Sequence, residues 1–421
     1  MQAYPDTWYS RTLAEARDRP PLTGTVRGDC LIVGGGFAGL FAALGLARGG
    51  MRPVVIEAQA VGWGASGRNG GFVSAGFACR AAAIRARVGA ARAAELQALA
   101  AEGVAIMRAT IRDLAIPGAD PVPGILRMRR HEPGDDFRAA AVPGQLDYLD
   151  RAAIRRHLES DRYRHGLLDR DAFHIHPLNT LRGIAFEVER LGGRIYEDSP
   201  VRSVTLDGPV KAVETPGGRA EAPRIVLATG GYTGTLVPQL RRAMLPIATY
   251  VMLSEAAPDL LATAIRTRAA VGDDRRAGDY YRLVDDGRRL LWGGRITTRA
   301  ADTHGIVRQL RREMLTVYPQ LAGLKTEVAW SGLMSYARHK MPQIGRLGPG
   351  VWHCTAFGGH GLNTTAIGGT VVAEAILSQS DRIEAFAPYG LDWAGGPAGL
   401  AAAQLTYWSL QARDRWRERR A

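Results

Sequence analysis

Within the first sixty residues, two short apolar runs flank a segment whose apolar residues have helical spacing. Residues 29–33 form a mostly apolar run directly before a glycine cluster, and residues 53–57 form a second run that is rich in β-branched side chains. Between them, residues 37–48 place Leu40 and Leu44 at helical spacing. Short apolar runs are typical of strands that are buried on both faces. The pattern therefore predicts a βαβ unit, whose glycine turn lies at the carboxyl edge of a parallel sheet.

Further strands and helices are predicted along the rest of the chain. Residues 210–215 and 219–227 flank a Pro-Gly-Gly turn, so we expect them to pair as a hairpin. Helices are predicted at 81–115, 178–191 and 370–377, and strands at 125–128, 194–197, 250–254, 290–294 and 351–357.

The glycine cluster fits the G-x-G-x-x-G pattern of dinucleotide-binding proteins. Gly34 allows the tight turn, Gly36 lets a pyrophosphate approach the backbone, and Gly39 lets the helix pack on the sheet. Phe37 and Ala38 open that helix, whose free N–H groups and positive partial charge favour phosphate groups. The cluster therefore predicts a dinucleotide site.

Glu57 ends the second strand, where a carboxylate can accept both ribose hydroxyls of an adenosine. It would repel a 2′-phosphate, so FAD or NAD fits better than NADP. A second glycine cluster at residues 395–399 has no strand before it and contains a proline. A single dinucleotide site favours a flavin over a nicotinamide co-substrate.

Three later segments strengthen the prediction of a flavin. Residues 64–71 form a loop of small residues just beyond Glu57, and residues 225–231 resemble the strand and turn with which flavoproteins of the glutathione-reductase type return to the cofactor. Residues 357–363 form a glycine turn, whose N–H groups can hold negative charge at the flavin N1–C2=O edge. The cofactor-binding residues predicted beyond Glu57 are Ala58, Gly64, Ala65, Ser66, Arg68, Asn69, Gly70, Gly71, Val201, Ala228, Thr229, Gly230, Gly358, Gly359, His360, Gly361, Leu362 and Asn363.

With these motifs the chain resembles the D-amino-acid oxidase superfamily of FAD proteins, and within it the gamma-glutamylputrescine oxidase-like enzymes. The resemblance spans nearly the full chain, and its more specific parts are the GASGRNGG loop and a tyrosine pair at 280–281. It is carried by residues 34–39, 62–71, 280–283, 290–294, 341–345, 358–363 and 405–408.

The resemblance implies noncovalent FAD and an α/β fold of two domains. The first is a Rossmann-like FAD-binding domain of the glutathione-reductase type, and the second is an α+β substrate domain built on a mixed or antiparallel sheet. The FAD-binding domain is predicted at 1–85, 150–232 and 335–390, the substrate domain at 86–149 and 233–334, and a C-terminal helical extension at 391–421.

The reaction that the resemblance implies is oxidation of a C–N bond in an amine, polyamine derivative or amino acid. A hydride passes to flavin N5, and the resulting imine hydrolyses to an aldehyde or keto acid plus amine or ammonia. Such chemistry depends on position and desolvation more than on acid–base groups. The residues predicted to face the substrate or the flavin are His360, Tyr280, Tyr281 and Arg282.

The electron acceptor is predicted as O2 or as a quinone or other electron carrier. Several related oxidases place a lysine over the flavin, on the strand equivalent to residues 290–294, to promote the reaction with oxygen. Here that strand carries Trp292 and no lysine. A dehydrogenase that passes electrons to a carrier therefore stays open beside an oxidase.

Composition and charge change this picture little. The formal net charge is +13 with only three lysines, and the arginines are spread along the chain, which favours a solvated basic surface over a nucleic-acid footprint. No run of eighteen apolar residues predicts a membrane helix. The three cysteines fit neither a disulfide framework nor a metal site, so we expect a cytoplasmic protein without a bound metal. His174 and His176 are interpreted as structural histidines rather than metal ligands.

Two alternative functions stay open at this point. The first is an oxidase of the same fold that acts on a modified tRNA base, which the basic charge favours and the scattered arginines disfavour. Salt-sensitive binding of tRNA would indicate it, because phosphate contacts release counterions. The second is a flavin-binding protein for assembly or signalling, which would hold FAD tightly and turn over no donor.

Overall fold

A computed structural model describes residues 4–15, 18–275, 278–298 and 303–418. No helix within these ranges has the length and apolar character that a membrane crossing requires. The strands are β1 (Gly24–Arg27), β2 (Cys30–Val33), β3 (Pro53–Ile56), β4 (Phe72–Val73), β5 (Val122–Arg129), β6 (Leu146–Leu149), β7 (His165–His174), β8 (Arg194–Tyr196), β9 (Ser203–Thr205), β10 (Lys211–Glu214), β11 (Gly218–Ala222), β12 (Ile225–Leu227), β13 (Met244–Ser254), β14 (Ala270–Asp273), β15 (Tyr280–Val284), β16 (Arg289–Thr297), β17 (Thr326–Ala337), β18 (Gln343–Gly348) and β19 (Val351–Thr355).

Helices precede, separate and follow these strands along the chain. They are α1 (Trp8–Arg11), α2 (Phe37–Arg48), α3 (Ala81–Asp113), α4 (Asp135–Ala140), α5 (Arg151–His157), α6 (Pro177–Arg190), α7 (Pro238–Ala243), α8 (Pro258–Ala262), α9 (Thr303–Val317), α10 (Gly361–Ile376) and α11 (Gly396–Glu418).

A six-stranded sheet in the order β18-β19-β12-β2-β3-β8 forms the centre of the first domain. All neighbours in it run parallel except β18, which is antiparallel to β19. Every residue of β2, β3 and β12 is buried, and α2 packs between the sheet and the helices α6 and α10. The βαβ unit and the Rossmann-like α/β fold that the sequence predicts are confirmed.

A small four-stranded sheet, β1-β11-β10-β9, lies beside this domain. Within it β10 and β11 pair antiparallel, so the predicted hairpin is confirmed over its first part. Residues 225–227 instead leave the hairpin as β12 and join the parallel sheet. Pro223 stands between the two strands and has no N–H group to continue the ladder, which explains the change of sheet.

The second domain is built on a nine-stranded mixed sheet. Its order is β17-β13-β16-β15-β14-β5-β7-β4, with β6 paired to β7, and within it β14 and β5 run parallel. One face packs against α9 over an aromatic core that contains Tyr163, Tyr281, Trp292 and Tyr318. The predicted second domain on a mixed sheet is therefore present.

The predicted domain boundaries need correction at two places. Strands β4 and β7 belong to the nine-stranded sheet, although the sequence predicts residues 72–73 and 165–174 within the cofactor domain. Helix α3 crosses the predicted boundary at residue 85 and packs on α10 in the core of the first domain, through side chains such as Leu96 and Met107. Long-range contacts decide which domain each of these elements joins, and the local sequence of an element does not indicate its partner.

The start of the predicted FAD-binding domain, residues 1–3, and the end of the predicted C-terminal extension, residues 419–421, lie outside the described residues. The C-terminal extension is helical from Gly396 to Glu418, as the sequence predicts. Helix α10 begins at Gly361, well before the predicted start at residue 370, and its interior glycines allow close packing. A Cβ atom at Gly369 would lie only 2.6 Å from the Cβ atom of Phe41 on α2.

Candidate active site

One large cavity lies where the carboxyl ends of β2 and β12 meet the nine-stranded sheet, and its volume is about 1610 Å³. Typical small-molecule pockets measure roughly 300–1,000 Å³, so this cavity has room for a dinucleotide together with a smaller molecule. Its walls come from the glycine turn before α2, the loop after β3, the turn after β12, the strands β13 and β15–β17, the turn before α10 and the helix α11.

The glycine turn before α2 is too crowded for side chains. Gly34 has a φ of +111°, and a Cβ atom there would lie 2.6 Å from the carbonyl oxygen of Ala228. A Cβ atom at Gly36 would lie 2.8 Å from Ser66 Oγ, and one at Gly39 would lie 2.0 Å from the carbonyl oxygen of Gly34. The turn therefore exposes bare backbone to the cavity at the N-terminus of α2, which suits a phosphate group.

The Glu57 carboxylate lies beside this turn at the end of β3. Its Oε2 accepts a hydrogen bond from Gly35 N at 2.6 Å, and its Oε1 accepts one from Gln59 N at 3.0 Å. Burial raises the pKa of Glu57, and the two backbone donors counteract that rise. Each oxygen keeps a lone pair for another donor, as a ribose with two hydroxyl groups would provide.

Two buried polar atoms on the cavity wall have no hydrogen-bond partner among the described residues, Arg68 Nη2 and Gln59 Oε1. The rest of the Arg68 guanidinium is fixed, because Nε donates to Trp63 O at 2.6 Å and Nη1 donates to Ser331 O at 3.2 Å. Leaving such atoms unpaired costs about 1–3 kcal/mol each, which a bound ligand can recover. Because FAD has phosphate, hydroxyl and ring polar groups, the residues present fit the predicted cofactor.

The glycine turn before α10 meets the second sheet at the middle of the cavity. A Cβ atom at Gly359 would lie 2.8 Å from the hydroxyl oxygen of Tyr336, and burial raises the pKa of that tyrosine to about 12. His360 Nε2 lies 3.4 Å from Ser74 Oγ. Burial lowers the pKa of His360 to about 4, so its ring is neutral at pH 7.

Tyr280 reaches the same region from β15 and borders the cavity. Its ring contacts Phe72 edge to face at a centroid distance of 5.7 Å, and burial raises the pKa of its hydroxyl. Tyr280 and His360 are thus the two predicted substrate-facing residues that the structure places on the cavity wall.

The prediction that Tyr281 and Arg282 face the cavity is wrong. Tyr281 is fully buried on the opposite face of the sheet, where its hydroxyl lies 3.0 Å from that of Tyr163 and 2.7 Å from that of Tyr318. Arg282 is buried too, and its Nη2 donates to Ile175 O at 2.8 Å. Strand geometry explains why Tyr281 points away from the cavity: neighbouring residues of a strand face opposite sides of the sheet, and Tyr280 faces the cavity.

Arg282 instead holds together the N-terminal segment and the end of β7. Besides its bond to Ile175, Nη1 lies 2.8 Å from His174 Nδ1 and Nη2 donates to the Tyr9 hydroxyl at 3.1 Å. Burial lowers the pKa of His174 to about 3, and likewise that of His176, which caps α6 by accepting from Asn179 N. Both histidines therefore make structural contacts.

Of the predicted cofactor-binding residues, all but Gly39, Gly71 and Asn363 line the cavity. Gly39 packs helix against strand, as described above. Gly71 has a φ of +82°, and a Cβ atom there would lie 2.3 Å from Ile175 O. Asn363 Nδ2 donates to Gly76 O at 3.1 Å and to Ala100 O at 3.2 Å, so this side chain ties α10 to its neighbours. These three residues shape the site without bordering it.

Sequence reasoning missed the part that helix α11 plays in the site. Its residues Ala398, Gly399, Ala402 and Ala403 line the cavity, together with Tyr407. Small residues at spacings of one, four and five positions lie on one helix face and allow close approach. That spacing was the available signal.

Comparison with known proteins gives a consistent result. The family described as FAD dependent oxidoreductase (DAO) matches residues 29–375 of this chain. Gamma-glutamylputrescine oxidoreductase of Escherichia coli (strain K12) is 33% identical over 400 residues, which cover 92% of each protein. A probable oxidoreductase, OrdL, of Haemophilus influenzae (strain ATCC 51907 / DSM 11121 / KW20 / Rd) is 31% identical over 380 residues, which cover 87% of each protein.

Solved structures share the fold. Glycine oxidase from Geobacillus kaustophilus superposes with a TM-score of 0.73 at 20% identity, over 87% of this chain and 98% of that one. L-proline dehydrogenase from P. horikoshii superposes with a TM-score of 0.70 at 16% identity, over 87% of this chain and 98% of that one. Helix α11 lies beyond the residues that the family match covers.

Proposed function

Because this chain belongs to the DAO family of FAD dependent oxidoreductases, we propose that it oxidises a C–N bond in an amine or amino acid, with FAD held noncovalently. The product is an imine, which water hydrolyses to an aldehyde or keto acid plus amine or ammonia. The observation that carries the proposal is the single cavity that joins the dinucleotide turn to the inner face of the second sheet.

The residues of the chain supply binding and position in this proposal. When bound, FAD would provide a hydride acceptor at flavin N5. Glu57 would accept the ribose hydroxyls, and the backbone at the start of α2 would hold the pyrophosphate. Arg68 would donate its unpaired Nη2 hydrogen to the cofactor.

The substrate end works mainly by shape and by exclusion of water. Tyr280 and Tyr336 present aromatic surface from two strands and would hold the reacting carbon near the cofactor. His360 is neutral at pH 7, because burial lowers its pKa to about 4. A neutral His360 can therefore form a hydrogen bond with a neutral amine, and it carries no positive charge that would repel the protonated amine on entry.

An anaerobic reduction screen tests the proposal on the purified holoenzyme. The panel holds gamma-glutamylputrescine, which the name of the Escherichia coli relative contains, together with putrescine, glycine, L-proline and simple secondary amines. We expect at least one amine to bleach the oxidised flavin absorbance. A colourless protein that takes up no FAD, or a flavoprotein that no member of the panel reduces, would refute the proposal.

Two additions to the screen resolve the remaining parts of the proposal. Admission of air, or of a soluble quinone in its absence, to the reduced enzyme identifies the electron acceptor by return of the flavin colour. Heat denaturation followed by centrifugation tests the attachment, because noncovalent FAD stays in the supernatant. Flavin that remains with the pellet would contradict noncovalent binding.

A further inference from the structure

The cavity extends past the predicted cofactor segments to a cluster of charged side chains under helix α11. Arg295 on β16 lines it there, next to Tyr407 of α11 and Glu313 of α9. Arg295 and Tyr407 line the same cavity as the dinucleotide turn, and they border a part of it that the predicted cofactor segments do not line.

The backbone at Arg295 is irregular in a way that favours a role for the side chain. In the pairing of β13 with β16, Thr249 is opposite Ile296 and Tyr250 is opposite Gly294, so Arg295 is the extra residue of a β-bulge. Its φ is +58°, a conformation that glycine adopts at lower cost than arginine. Bulges re-aim side chains and are frequent next to active sites. An arginine at such a position indicates that its placement matters.

Among the described residues, the guanidinium of Arg295 also keeps unused hydrogen-bond donors. Nη2 donates to Glu313 Oε1 at 2.6 Å, and the Tyr407 hydroxyl contacts the same group. A guanidinium has five N–H donors, so about three remain for a ligand. Neighbouring Arg275 differs, because its three nitrogens already donate to Asp273, to Glu313 and to Asp279.

We propose that Arg295 determines substrate specificity by binding a carboxylate at the end of the substrate remote from the oxidised C–N bond. A planar guanidinium binds a carboxylate through two parallel hydrogen bonds, which gives both affinity and orientation. Glu313 and Tyr407 are positioning residues, because both interact with the guanidinium. The inference rests on the proposed function for the amine end of the substrate and is independent of it for the carboxylate end.

The first test measures kinetics with a matched pair of substrates, N-glutarylputrescine and its methyl ester, in which one added methyl group removes the carboxylate charge. For the acid, R295A should lower kcat/KM for flavin reduction about 10- to 100-fold, mainly through KM. For the ester, R295A should change little. R295K keeps the charge and loses the paired geometry, so an intermediate value is expected, and Y407F should show a smaller loss. Equal losses for acid and ester would overturn the proposal.

The second test measures binding without turnover, by titration calorimetry on the holoenzyme with N-butylglutaramic acid, which carries the carboxylate and lacks the amine. We expect the acid to bind at least about tenfold tighter than its methyl ester, and R295A to remove the difference. R288A serves as the control, because Arg288 is an exposed arginine paired with Asp285 and its loss removes the same charge.

The two tests separate the two proposals. Equal binding of acid and ester by the unmodified protein would overturn the role of Arg295, whatever the oxidase activity. A preference for the acid together with no reduction by any amine would leave the carboxylate site intact and refute amine oxidation. Flavin absorbance and circular dichroism of each variant show whether it is folded. If R295A is not folded, R295K is used for both tests instead.

Discussion

Replacing Glu57 by glutamine should weaken FAD binding through a loss that can be worked out from the geometry. The carboxylate has about four lone-pair positions on its two oxygens. Gly35 N and Gln59 N occupy one on each oxygen, at 2.6 and 3.0 Å, which leaves one on each for the two ribose hydroxyls. In E57Q one oxygen becomes an NH2 group, which donates and carries no charge.

The cost follows from the hydrogen bonds that are lost in the complex. A hydrogen bond to a charged group contributes about 1.5–3 kcal/mol, and each 1.4 kcal/mol corresponds to a factor of ten in Kd. E57Q should therefore raise the Kd for FAD about 10- to 150-fold. Titration of the apoprotein with FAD, followed by quenching of flavin fluorescence, measures this directly.

The control for this experiment is E187Q on helix α6. Glu187 pairs with exposed Arg190 three residues later, at 2.6 Å, and does not line the cavity, so the substitution removes the same charge outside the site. Its Kd should equal that of the unmodified protein. If E57Q also bound FAD with unchanged affinity, the assignment of the ribose to Glu57 would be wrong.

Two further predictions concern the aromatic core and the buried histidines. Y281F should lower the free energy of unfolding by about 1–3 kcal/mol, since it removes the hydroxyl between Tyr163 and Tyr318. Its KM should stay unchanged, because Tyr281 does not line the cavity. Y280F, on the cavity wall, should instead alter flavin reduction. Burial lowers the pKa of His353 to about 4, so the unfolded chain takes up this proton first and stability falls as pH drops from 6.5 towards 4. The free energy of unfolding of H353Q should fall about 2 kcal/mol less between pH 7 and pH 5.

Both predictions have direct readouts. Urea unfolding followed by far-ultraviolet circular dichroism gives the free energies, and anaerobic stopped-flow absorbance gives the rates and KM of flavin reduction. A raised KM in Y281F would show that Tyr281 reaches the substrate after all. An H353Q protein with the same pH dependence as the unmodified chain would contradict the buried, neutral state of His353.

The local parts of the site were predictable from sequence. The first βαβ unit, its glycine turn and Glu57 lie close together along the chain, so spacing alone carries their geometry. The pair of tyrosines illustrates the limit. Alternation along a strand allows only one of Tyr280 and Tyr281 to face the cavity, and sequence does not say which. Arg282 shares the face of Tyr280, yet contacts from distant Tyr9 and His174 bury it.

The distant parts of the site depended on tertiary contacts that no local pattern encodes. The bulge at Arg295 exists because β13 and β16 pair with an offset, and the position of its side chain depends on contacts with α9 and α11. The assignment of β7 to the nine-stranded sheet depends likewise on its pairing with β5. Both features arise from segments far apart in the chain.

The order of strands in the six-stranded sheet constrains how the protein can be made. Strand β12 lies between β2 and β19 in the sheet. During synthesis, β12 therefore remains unpaired on one side until β19, more than a hundred residues later in the chain, has left the ribosome. Until then β12 has an open edge, which is a template for pairing with other chains. We therefore expect messages that stop before β19 to yield insoluble aggregates rather than a soluble apoprotein awaiting its flavin.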